Sequence, residues 1–89
     1  MKLSKNTLYV IKYLQADVDW HYTVAGRISV NDPSLPAHYN KSVEYYEGLA
    51  WGKCCAIESL LTSHNVYKGY YVTDVGNGYV TNKYILPIR

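Results

Sequence analysis

From Asp17 to Val30 apolar and polar side chains alternate almost without error. Val18, Trp20, Tyr22, Val24, Ile28 and Val30 fall on even positions, with Gly26 filling the gap. Asp17, Asp19, His21, Thr23, Arg27 and Ser29 fall on odd positions, Ala25 being the one apolar exception. Successive side chains of a strand point to opposite faces, so this run predicts a long β-strand with one buried and one wet face. At about 3.3 Å per residue the strand would span roughly 40 Å, and Gly26 is where a bulge or bend is expected. The six even residues are the expected core. The odd face is expected to look into solvent or onto a partner.

The segments around this run are read as completing a sheet. Residues 7–14 read TLYVIKYL, whose Thr, Tyr, Val and Ile content favours a strand, although Leu8, Ile11 and Leu14 also suit one side of a helix. Gln15, Ala16 and Asp17 form a short polar turn, so residues 7–14 and 18–30 are read as a hairpin. Asn31–Asp32–Pro33–Ser34–Leu35–Pro36 ends the second strand, because Pro lacks a ladder donor and Asn, Asp and Ser favour turns. Residues 42–63 carry Val43, Tyr46, Ala50, Cys54, Ile57 and Leu61 at intervals of three and four, the stripe of an amphipathic helix. Asn40 or Ser42 caps it, and Glu44 and Glu47 complement its positive end. Gly48 and Gly52 lie inside it, four apart, and are expected to admit a strand or another helix at close range. Finally, residues 66–75 and 79–88 flank Gly76–Asn77–Gly78, a strong hairpin signal, with Pro87 fraying the last strand or placing it at an edge. The order ββαββ predicts an α+β fold: a four-stranded, largely antiparallel sheet with one helix, about 42–63, packed on one face.

Composition bounds the class. Eighty-nine residues make one domain, 1–89, with a core that must be efficient. Eleven Tyr, two Trp and no Phe suit a half-wet sheet, and Tyr is also enriched at interfaces. The net charge of +2, without a basic or acidic run, argues neither for a phosphate-tracking surface nor for a nucleic-acid mimic. No apolar stretch approaches the roughly 18 residues of a membrane span. Adjacent Cys54 and Cys55 make no disulfide framework, and no signal-peptide cleavage site is apparent. The expected setting is a reducing cytoplasm, that of the host if a phage encodes the chain.

Chemistry-bearing constellations are sparse. Cys54, Cys55, His21, His38 and His64 show no zinc-ligand spacing, and the two cysteines diverge by about 100° around a helix. One thiol is expected in the core and the other at its margin. Cys55 and His64 stand nine residues apart on the expected helix, roughly 13 Å along its axis and too far for a nucleophile–base pair. Asp17/Asp19 and Glu44/Glu47 are explained by solvation and by the helix dipole. No catalytic residue, metal or cofactor is therefore assigned.

What remains is a binding role. The expected function is a small non-enzymatic protein that occupies a surface of a partner protein. Its candidate contacts are His21, Thr23 and Arg27 on the free strand face, Tyr39 in the long loop and Tyr70 in the second hairpin. A chain of this profile resembles, as a class only, the small inhibitors that phages and mobile elements direct against host nucleases and CRISPR-type immune complexes. The alternative is a nucleic-acid-binding regulator, using a sheet face that bears Tyr9, Lys12, Tyr13, Lys68, Tyr70, Lys83 and Tyr84, or a helix with a wing-like hairpin. The acidic helix and the strand expected at 18–30 count against the winged form. A homodimer, built through an edge strand or the Gly48/Gly52 face, fits either function.

Overall fold

A computed structural model of the protein describes residues 3–87. Two helices are followed by one β-hairpin: α1, Lys5–Ser29; α2, Val43–Ser63; β1, Tyr70–Gly76; and β2, Tyr79–Tyr84. The order is thus ααββ, with a two-stranded antiparallel sheet in place of the expected four strands and single helix. Both strands expected at 7–14 and 18–30 lie inside α1. The strand expected over residues 66–75 begins only at Tyr70, and that expected over 79–88 ends at Tyr84, its last residue, Ile88, lying outside the described residues.

Why α1 is a helix is visible in residues that also alternate. Ser4 caps it, its hydroxyl accepting from the Thr7 amide at 3.1 Å. Leu8, Ile11, Leu14, Val18, Tyr22, Ala25 and Ile28 keep intervals of three and four along its whole length. Within residues 17–30 two ridges of i, i+4 neighbours interleave. Val18 and Tyr22 form one, and Trp20, Val24 and Ile28 form the other, about 200° away around the helix. The first packs with Cys54, Ile57 and Leu61 of α2 and with Tyr84 of β2. The second meets Tyr39 from the loop and Val43 and Tyr46 from α2. A helix covered on two sides imitates the alternation of a strand covered on one. Of the six residues expected in the core, Val18 and Val24 are fully buried and Tyr22 and Ile28 partly so. Trp20 and Val30 are 41% and 55% exposed, because Trp20 sits at the margin of the loop contact and Val30 is already past the helix end.

The helices run antiparallel, Asp17 facing Lys53 and Ala25 clustering with Tyr46. Strand β2 lies antiparallel along α1, so that Asn77 covers Gly26, Tyr79 stacks on Tyr22 and Lys83 pairs with Asp19. A Cβ on Gly26 would stand 2.9 Å from the Asn77 Cβ, so the glycine seats the hairpin turn and bends no strand. Asn31, Asn65 and Asn77 hold left-handed φ angles of 55°, 58° and 53°, one just past each helix and one in the hairpin turn. Asp17 and Asp19, expected on a wet strand face, form ion pairs from α1 to Lys53 of α2 and Lys83 of β2.

Candidate functional site

Helix α2 turns its predicted stripe inward: Tyr46, Ala50, Cys54, Ile57 and Leu61 are buried. Its opposite side is open. A Cβ added at Gly48 or Gly52 would meet nothing within 4 Å, so neither glycine serves packing among the described residues. Trp51, between them, is 63% exposed, and Tyr45, Cys55 and Ala56 are exposed beside it. Lys53 is the one charged residue between Glu47 and Glu58, and it is drawn toward α1. Its ammonium lies 2.8 Å from Asp17 Oδ2 and 3.0 Å from His21 Nε2. What α2 presents to solvent over these turns is therefore uncharged, apolar and, at two positions, bare backbone.

The hairpin extends this surface. Tyr70, Val72, Val80 and Asn82 share the side of the sheet turned away from α1, and the first three are half exposed. Between that side and α2 runs a groove of about 340 Å³. Buried Cys54 and Tyr84 line it, with Trp51, Cys55 and Glu58 on the helix side and Tyr70 and Asn82 on the sheet side. Burial pushes the Cys54 thiol up, helped by Cys55, Asp19 and Glu58. Burial likewise raises the Tyr84 phenol to about 12. Both groups are neutral at physiological pH, so the inner groove offers neither a thiolate nor a phenolate. Among the described residues no three His, Cys, Asp or Glu side chains converge as metal ligands.

A second exposed surface lies on the first half of α1. Lys5, Tyr9, Lys12 and Tyr13 share the side away from α2, the two rings being 72% and 64% exposed. Residues 1–16 contain no carboxylate. Lys5 and Lys12 take part in none of the ion pairs among the described residues, which are Arg27–Asp32, Lys53–Asp17 and Lys83–Asp19.

The residues singled out from the sequence are dispersed. With no strand at 18–30, His21, Thr23 and Arg27 do not share a free face. His21 lies in the α1–α2 seam, where burial and then the Lys53 charge lower its pKa. Thr23 Oγ1 donates to the Asp19 carbonyl at 2.7 Å. Arg27 is occupied by Asp32 at 3.0 Å and Ser34 at 3.1 Å. Tyr39 folds back on α1, its hydroxyl accepting from Trp20 Nε1 at 3.0 Å and its ring meeting His38 and Tyr46. Tyr70 alone stands on the apolar surface beside the groove. Of the Tyr/Lys set, Lys83 is turned to Asp19 and Tyr84 is buried, while Tyr9, Lys12 and Tyr13 gather on α1. Trp51, Val72 and Val80 did not stand out in the sequence, although Trp51 falls off the predicted stripe of α2, which is the signal for an outward ring. No helix among the described residues is long and apolar enough to cross a membrane. Comparison with protein-family models, curated proteins and solved structures finds no match to this chain.

Proposed function

We propose that the chain is a non-enzymatic binding protein that occupies a surface of a partner protein, using the outward side of α2 and the adjoining outer side of the hairpin. One observation carries this reading: two glycines in the interior of a 21-residue helix face solvent around an exposed Trp51. Each glycine costs about 1 kcal/mol relative to Ala, and nothing among the described residues makes use of the space it leaves. A partner backbone or side chain seated there would. Trp and Tyr are the ring types that anchor such contacts, and Trp51 and Tyr70 flank the groove. Obstruction of that partner surface is the proposed mode of action, as for the small phage-type inhibitors that the chain resembles as a class.

The test is recovery of a stoichiometric protein from the native lysate after nuclease treatment, with Trp51→Ala and Gly52→Gln as controls. Both variants should fold and both should lose the partner. Recovery unaffected by either would remove the surface from the reading. Cys55 supplies a further probe, since a bound partner should slow its alkylation while buried Cys54 stays unreacted in either state.

A second reading, a nucleic-acid-binding regulator, is favoured by the carboxylate-free Lys5, Tyr9, Lys12, Tyr13 side of α1, where rings could stack on bases and ammonium groups meet phosphates. A helix does precede α2 and a hairpin does follow it, yet α2 carries Glu44, Glu47 and Glu58 and its one lysine is engaged by Asp17, an arrangement that repels phosphate. A shift assay over a salt series separates the readings: no retention of a single-stranded oligonucleotide at low salt would eliminate the second.

A further inference from the structure

Strand β1 leaves one edge of the hairpin open. Ile85 N donates to the Gly69 carbonyl at 3.0 Å, which sets the phase of the ladder. Gly69, Tyr71 and Thr73 therefore turn their amides and carbonyls toward β2, and Tyr70, Val72 and Asp74 turn theirs away from it. No backbone group among the described residues meets these outward amides and carbonyls. The devices that usually blunt an edge are missing along most of it. β1 contains no Lys or Pro, its one irregularity lies at the end, between Asp74 and Gly76, and Tyr70, Tyr71 and Val72 are 50–60% exposed.

We propose that β1 pairs antiparallel with β1 of a second copy of this chain, Val72 facing its own counterpart across a two-fold axis, to give a continuous four-stranded sheet. The register follows from the ladder. Bonding needs outward residues opposite outward residues, and centring on Val72 sets Tyr70 against Asp74 and Val72 against Val72, engaging all three outward residues of each strand. A slip of one residue sets outward groups against inward ones, and a slip of two leaves one of the three without a partner. Charge favours the antiparallel sense of this pairing. Exposed Lys68 stands at the entry of the strand and exposed Asp74 near its end, and Lys68 takes part in no ion pair among the described residues. An antiparallel two-fold brings each Lys68 beside the Asp74 of the other copy, diagonal neighbours within reach of a long side chain, and does so twice. Parallel pairing would set lysine by lysine. Tyr71 then lies opposite Thr73, an aromatic–β-branched pair of the kind that stabilises sheets. The pairing uses the sheet edge and does not rest on a partner protein at α2.

Oligomeric state of the purified full chain, by light scattering and sedimentation from micromolar to millimolar concentration, tests this together with amide exchange. The expected result is a dimer in which the Tyr70, Val72 and Asp74 amides gain protection as concentration rises, while Tyr71 and Thr73 are protected throughout. Asp74→Lys should weaken the dimer about tenfold or more by opposing like charges at two places, and Lys68→Asp added to it should restore the association. Asp74 Oδ1 also holds the Gly76 amide at 2.7 Å, so Val72→Pro serves as a second variant. It removes an outward donor, leaves the inward ladder intact and should give a monomer. A monomer over the whole range, or a dimer indifferent to the charge exchange or protected at Gly48 and Gly52 instead, would overturn the proposal.

Discussion

The two helices use glycine in opposite ways. Gly26 of α1 is buried under the hairpin turn, with the Asn77 Cβ 2.9 Å and the Tyr79 ring 3.3 Å from where a methyl group would go. Gly48 and Gly52 of α2 meet nothing among the described residues. The same contrast runs through the charges, since Asp17, Asp19 and Arg27 of α1 supply one member of every ion pair among the described residues. The second half of helix α1 is covered by α2, by the loop and by β2, whereas α2 is covered along one side only. From Asp17 onward α1 thus finds its packing within the chain, and α2 carries an apolar side left open to solvent.

Substitution on the two sides of α2 is the strongest way to break this contrast. Ile57→Ala, in the core, should cost about 2–5 kcal/mol in urea unfolding, whereas Trp51→Ala should change stability by less than about 0.5 kcal/mol. An equal loss at Trp51 would mean that the outward side is internally packed. Next in size is Gly26→Ala, expected to lose about 1–3 kcal/mol because the new methyl group must displace the hairpin turn. Gly48→Ala and Gly52→Ala should go the other way, each stabilising the isolated chain by about 0.5–1 kcal/mol. Thr81→Val should also stabilise, by about 1 kcal/mol. Among the described residues the buried Thr81 hydroxyl has no hydrogen-bond partner, and an isosteric methyl group removes that penalty.

The smallest effect expected is one of pH. His21 is held below its usual pKa of 6.5, by burial first and by Lys53 second, with Asp17 opposing. A depressed histidine contributes stability that is present above its unfolded pKa and lost as pH falls through the folded one. Stability against chemical denaturation should accordingly fall below about pH 6.5, and His21→Gln should flatten that part of the profile. At the alkaline end the signs reverse for Tyr79 and Tyr84, both pushed up to about 12, Tyr79 by its 2.7 Å hydrogen bond to Glu47 and Tyr84 by burial. Their stabilisation is present below pH 10 and is lost as pH climbs toward 12. Ultraviolet titration should find these two phenols ionising last.

Local signals in the sequence were read correctly where one neighbour decides the outcome. The stripe of α2 has a single covered side, so its period of 3.6 stands clear, and Gly76–Asn77–Gly78 marks the hairpin turn unaided. Residues 17–30 failed because α1 has two covered sides, and the interleaved Val18/Tyr22 and Trp20/Val24/Ile28 ridges give a period of two over one stretch. The signals that would have corrected this lay outside the stretch, in the Ser4 cap and in Leu8, Ile11 and Leu14, whose helical spacing continues without a break into Val18. The candidate site was legible only in part. Tyr70 was singled out, but the exposure of Gly48, Gly52 and Trp51 depends on where the hairpin docks, and no residue of α2 encodes that choice. The hairpin docks on α1, where Gly26 lies under Asn77, Tyr22 stacks on Tyr79 and Asp19 pairs with Lys83.

How the hairpin is attached has a consequence in time. Residues 30–42 bring α1 and α2 together, and β1 and β2 close over Asn77 and Gly78, so each half assembles from near neighbours along the chain. Joining the halves requires contacts such as Asp19–Lys83, 64 residues apart, which form slowly because the loop they close is long. The ribbon should therefore arrive last in folding and lift away from the helices first under native conditions, as a unit that keeps its own ladder while the paired helices remain shut.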